Sequence, residues 1–293
     1  METLLAPCEA SITSAWLPPR QPQAEILEKL LGFKFLHSWK AGPHSDFDGS
    51  VSQVRGTEIE FEVISPSRPD SFVQKYLDQN GGGGLHHITV EVHDIQEAAA
   101  EIERLGMKPF GGIQNDGMWH LTYVHPKDSG GILWQLFVAH KPAPEADRNA
   151  GGGAVNLQRV DHVSMAVTDI ERQIEWQQRV FGCELEGRWE EEYLGYHGAI
   201  MTIPGSLLKF EIIQPSRSGS FVQKFIDTKR QGMHHVCCEV ASVEEAAAAL
   251  RANGIEPFGG IIDNGWKKHT FLHPKDSGGV LFQLFEEPPA ARP

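Results

Sequence analysis

No apolar run in the 293 residues is long enough to cross a bilayer. Met1–Arg20 lacks the basic start and continuous apolar stretch of a secretory leader. Positive charge is in deficit: 26 Lys and Arg against 39 Asp and Glu leave a formal net charge of −13. With no basic stripe to displace counterions, nucleic acid is excluded as a partner, and an anionic membrane surface is disfavoured. Cysteine is scarce too. The four thiols, Cys8, Cys183, Cys237 and Cys238, show neither a disulfide framework nor paired zinc-type spacing. They read as core thiols of a reducing compartment, so a cytoplasmic protein is expected.

What is present is repetition. His125–Gly131 (HPKDSGG) recurs unchanged as His273–Gly279, Ser71–Lys75 (SFVQK) as Ser220–Lys224, and Pro109–Ile113 (PFGGI) as Pro257–Ile261. Leu85–Ile88 (LHHI) returns as Met233–Val236 (MHHV). A period of about 150 residues is a duplicated domain, not a short solenoid repeat. The stretch Lys141–Ala154, rich in Pro, Gly, Ala and charge, separates the copies. Residues 1–143 and 157–293 are therefore expected to be two modules joined by a linker at 144–156.

The second copy parses cleanly. Val160–Val167 alternates like a strand. Asp169–Phe181 has helical spacing and stops at Gly182. Strands follow to Ile213, then a Gly-bearing loop and the strand Met233–Val240. A helix over Ser242–Asn253 opens with a capping box, Ser242 with Glu245. More strands run to Phe285, with a turn at Pro274–Gly279. Each half thus reads as two βαβββ units, an α+β class. Two such units side by side make a curled mixed sheet with helices outside and an open face suited to a ligand.

Strand parity identifies the polar residues on that open face. Opposite the apolar set Val163, Met165, Val167 stands His162; opposite Phe210 and Ile212 stands Glu211. His235 opposes Val236, Cys238 and Val240, and Gln283 opposes Phe282 and Leu284. His86 and His234 read as packed strand residues. Two imidazoles, a carboxylate and an amide oxygen form a first shell for one divalent metal, with two neighbouring positions left for substrate. The first half supplies Glu62, His87 and Gln135, but the position matching His162 is read as Ile12. One complete site per chain follows.

These βαβββ units, the His-His-Ile/Val strands and the HPKxxGG turn resemble the vicinal oxygen chelate superfamily, which includes glyoxalase I, methylmalonyl-CoA epimerase, extradiol dioxygenases and bleomycin-resistance proteins. The runs Gly232–Val236 and Phe271–Leu284 are most similar to the methylmalonyl-CoA epimerase group. The resemblance implies tandem glyoxalase-like modules, the first with a degenerate site, and places the metal ligands on His162, Glu211, His235 and Gln283. Epimerases of this type usually carry the carboxylate on the last strand and the amide on the fourth; here the two are exchanged.

The implied activity is epimerisation or isomerisation next to a carbonyl through a metal-stabilised enolate or enediolate, on a CoA thioester or a sugar-derived cyclic ketone. The cofactor is one divalent ion per chain, from Zn, Ni, Co, Mn or Fe. Glu211 or His197 would move the proton, and Trp266, Lys267 and Lys268 are candidates for holding substrate. A homodimer is compatible with this family. Competing readings are an extradiol-type iron dioxygenase, a glyoxalase I-type lyase and a drug-sequestering binding protein.

Overall fold

The computed structural model describes residues 5–16, 20–42, 45–55, 59–115, 117, 119–139, 152–265 and 267–287. The second half runs β9 (Leu157–Ala166), α4 (Ile170–Phe181), β10 (Glu184–Glu191), β11 (Tyr196–Thr202), β12 (Lys209–Pro215) and α5 (Phe221–Lys229). It continues with β13 (Gly232–Val240), α6 (Val243–Ala252), β14 (Phe258–Asp263), β15 (Lys268–Leu272) and β16 (Phe282–Glu286). The first half has the same order: β1 (Leu5–Ala15), α1 (Arg20–Leu31), β2 (Lys34–Trp39), β3 (Phe47–Gln53), β4 (Glu60–Pro66), α2 (Phe72–Asn80). Then come β5 (Gly84–Val92), α3 (Ile95–Arg104), β6 (Phe110–Asn115), β7 (Trp119–Val124) and β8 (Leu133–Ala139).

Each half builds its own eight-stranded sheet, in the order β2-β3-β4-β1-β5-β8-β7-β6 and β10-β11-β12-β9-β13-β16-β15-β14. Neither sheet closes on itself, and in each the first strands of the two βαβββ units are neighbours at the centre. The expected α+β tandem architecture is observed.

Local chemistry explains the elements. Asp169 caps α4 by accepting from the Arg172 amide, and Gly182 ends it at φ 65°. Ser242 caps α6 by accepting from the Glu245 amide at 3.3 Å. The repeated HPKDSGG run is a structural turn. His273 Nδ1 accepts from the Lys275 amide at 3.1 Å, and Ser277 Oγ donates to His273 O at 3.1 Å and to Val280 O. This turn sets the start of β16, and so the height of Gln283.

The loop expected before Met233 contains α5, capped by Ser220, whose side chain accepts from the Gln223 amide. Its Val222, Phe225 and Ile226 pack on Ala166 and Ile213. Residues 152–156, within the expected linker, are turns tied to α1, with Val155 N donating to Leu30 O at 3.0 Å; residues 140–151 lie outside the described residues.

By contact density the described residues fall into two compact units that do not follow the halves. One takes its residues from Met1–Ser11, His87–Glu145 and His162–His234, the other from Ile12–His86, Ala146–Asp161 and His235–Pro293. In the first, Trp134 meets Trp176, Phe181 and Phe210 with ring centroids 5.7, 4.7 and 5.1 Å away. In the second, Phe33, Phe61 and Phe282 cluster within 6.2 Å of one another.

Candidate metal centre

The strands β12, β9, β13 and β16 are consecutive neighbours in the second sheet. Register pairs Lys209 with His162 and Glu211 with Ser164, so His162 and Glu211 project from the same face. His162 Nε2 lies 3.8 Å from Glu211 Oε2; the imidazole is 3% exposed and the carboxylate 12%. His235 Nε2 is 3.1 Å from Gln283 Oε1. One ligand atom each from His162, Glu211 and His235 fall within 4.8 Å of one another, which is the one such His, Cys, Asp and Glu cluster among the described residues.

That spacing suits a first-row divalent ion. Ligand bonds of about 2.0–2.2 Å place donor atoms roughly 3 Å apart, within small side-chain adjustments of what is seen. Two imidazoles, a carboxylate and an amide oxygen are the right borderline-to-hard donors for it. The residues present therefore fit a metal.

The first half differs where it should. Trp16 N donates to Ile64 O just as Val167 N donates to Ile213 O, both at 2.9 Å. That equivalence matches His162 with Ser11, not with Ile12; Ile12 is a buried core residue like Val163. Thr13 Oγ1 donates to Glu62 Oε2 at 2.5 Å. Burial, opposed by that hydrogen bond and reinforced by Glu60, raises the Glu62 carboxyl to about 7.

Two sequence candidates do not join the cluster. Glu211 pairs with Ile200, and His197 with Gln214. His197 therefore projects from the face opposite Glu211, with its imidazole 3.7 Å from Glu190. Adjacent Tyr196 is on the Glu211 face instead, its ring 5.3 Å from that of Phe221 on α5. Burial, with a smaller contribution from the Glu211 charge, pushes its phenol up to about 12.

Lys268 turns toward α6, 2.7 Å from Glu244 and 3.4 Å from Glu286. It is Lys267 that lies on the site face, with Nζ 3.9 Å from Cys237 Sγ and 4.2 Å from the centre of the Phe285 ring. Trp266 lies outside the described residues. Parity counted along one strand found the ligands; Tyr196 and Lys267 needed the cross-strand register. His86 and His234 are packed among aromatic rings, and burial lowers both to about 4.

Comparison with known proteins agrees with this geometry. The family model of the Glyoxalase/Bleomycin resistance protein/Dioxygenase superfamily matches residues 15–123 and again 161–272. The chain belongs to that superfamily. Its relatives include human mitochondrial methylmalonyl-CoA epimerase, 32% identical over 137 residues, spanning 45% of this chain and 76% of the relative. Another is the ethylmalonyl-CoA/methylmalonyl-CoA epimerase of Cereibacter sphaeroides, 31% identical over 132 residues, spanning 44% of this chain and 97% of that one. Among solved structures, a mutant of 4-hydroxymandelate synthase from Streptomyces coelicolor superposes with a TM-score of 0.70 at 16% identity, covering 97% of this chain and 93% of that one. At that identity the likeness is one of fold: a superfamily member that also spans both halves. No helix among the described residues is long and apolar enough to cross a membrane.

Proposed function

We propose that this superfamily member is a metal-dependent epimerase or isomerase acting at the carbon next to a carbonyl, with residues 157–293 as the active module and 1–143 as a partner whose site has lost an imidazole. The observation carrying this reading is the cluster of His162, Glu211 and His235, completed by Gln283 beside His235, in a chain whose relatives are named epimerases. Those four side chains would hold the ion. A divalent cation there supplies Lewis acidity that stabilises negative charge on substrate oxygen as the adjacent proton leaves.

The chain's own groups divide the remaining work. Glu211 is the carboxylate in place to take and return the proton. Tyr196, kept as a neutral phenol, is an O–H donor on the same face. The relatives' names favour a CoA thioester over a sugar-derived cyclic ketone. Buried free thiols at Cys183, Cys237 and Cys238 suit a reducing, cytoplasmic setting.

Metal analysis of purified protein should find about one divalent ion per chain, lost in His162→Ala. In deuterated water, racemic methylmalonyl-CoA should then gain label next to the carbonyl with wild type and not with Glu211→Gln. Metal present without label transfer to thioesters or ketones would defeat the proposal. The two-histidine, one-carboxylate cluster gives a second reading, an iron dioxygenase. Oxygen consumption with a catechol would decide for it; Gln283 in place of a last-strand carboxylate argues against.

A further inference from the structure

Register across β14, β15 and β16 puts His269 opposite Phe285 and Phe271 opposite Gln283. His269 therefore shares a face with Gln283, and Lys267 joins them by its contacts with Phe285 and Cys237. Cys237 is the register partner of Gln283. A cation and an imidazole thus stand one residue pair away from two of the proposed ligands.

Both are left short of partners. Among the described residues no carboxylate pairs with the half-buried Lys267 ammonium; its neighbours are an aromatic face and a sulfur. Those compensate a partly desolvated charge only weakly. Its neighbour Lys268, by contrast, has two carboxylates. His269 Nδ1 is buried with no hydrogen-bond partner among the described residues, an expensive state for a ring nitrogen.

The backbone holding Lys267 is fixed by a tight turn. The Lys267 amide donates to Asn264 Oδ1 at 2.8 Å, and the Gly265 amide to Asp263 Oδ1 at 2.9 Å. Gly265 has φ 86°, which a side chain would strain.

The first half is the control. Its counterparts of Lys267 and His269 are Trp119 and Leu121. Trp119 packs on Phe137, the counterpart of Phe285, with ring centroids 4.4 Å apart. The same backbone is filled by apolar packing where the ligand set is incomplete, and carries two polar groups where it is complete.

We propose that Lys267 and His269 form a subsite for a carboxylate group of the ligand, next to the metal position. The proposal deepens the isomerase reading and rests on it only for which face receives substrate. One ammonium beside one neutral imidazole matches a carboxylate, which has one charge and accepts from both groups. A phosphate dianion calls for more positive charge than is gathered here.

Titration calorimetry on the full chain, freed of metal, tests this with malonate and inorganic phosphate as probes. Malonate should bind wild type and bind about tenfold more weakly to Lys267→Met. His269→Leu should also weaken it, Lys267→Arg should largely restore it, and Lys268→Met should bind like wild type. Unfolding midpoints of all variants establish that they are folded, with Lys267→Gln and His269→Asn as replacements for any that are not. Malonate binding unchanged in Lys267→Met, or phosphate preferred over malonate, overturns the subsite. Malonate binding that depends on Lys267 alongside absent label transfer defeats the isomerase reading alone.

Discussion

Glu62 and Glu211 occupy corresponding strand positions, yet their surroundings ask different things of them. Glu62 is deeply buried, receives a hydrogen bond from Thr13 and is raised to about 7. Its folded pKa lies above the ordinary carboxylate value, so the folded state holds that proton more tightly than the unfolded chain does. The associated stability is fully present below about pH 4.5 and is lost as pH rises through 7, a change of about 3 kcal/mol for a shift of this size. Urea unfolding at pH 5 and pH 8 should show that loss in wild type, and Glu62→Gln should remove most of it. Equal pH slopes in the two proteins would mean Glu62 is ionised in the fold. The same two positions show what single residues reveal. Alternation along one strand is local, so His162, Glu211, His235 and Gln283 were legible. Which face His197 or Lys268 takes depends on hairpin register, and their neighbours Tyr196 and Lys267 are the ones on the Glu211 side. At Ser11 no motif anchors the alignment of β1, and the offset slipped by one.

At the scale of elements, the hairpins flanking each site share a device. Trp189 on β10 is the register partner of Gly198 on β11, and Trp39 on β2 that of Gly49 on β3. A Cβ on Gly198 would sit 2.1 Å from the Trp189 ring, and one on Gly49 1.8 Å from the Trp39 ring. The indole lies across the glycine and covers an otherwise bare stretch of strand, fixing the pairing by shape. Gly198→Val should displace the indole and cost roughly 1–3 kcal/mol by overpacking. It should also shift the tryptophan emission and loosen the strand that carries Tyr196. An unchanged unfolding midpoint would show that the hairpin does not use this contact. Neither the covering ring nor α5 was legible from spacing. The helix is short and follows a glycine, and its apolar residues Phe221, Val222, Phe225 and Ile226 acquire meaning only with Ala166 and Ile213 beneath them.

At the scale of the molecule, sheets and packing obey different rules. Backbone pairing stays within a half, while Trp134 of the first half packs its indole against Trp176, Phe181 and Phe210 of the second. Duplication was plain in the sequence, but this sharing was not, because repeat motifs mark what the copies have in common and not what they exchange. It also gives the first half a task that survives the loss of its imidazole: the active module buries its aromatic residues against it. Residues 1–143 and 157–293 produced as separate chains in one cell should therefore associate, and each made alone should aggregate or self-associate. Removing the Trp134 ring costs about 3–5 kcal/mol of core packing, so Trp134→Ala in the first fragment should weaken the pair by several hundredfold or more. Size-exclusion chromatography with light scattering reads both results. Two stable, folded monomers would mean that each half completes its own core, and the retained first half would then need a different explanation.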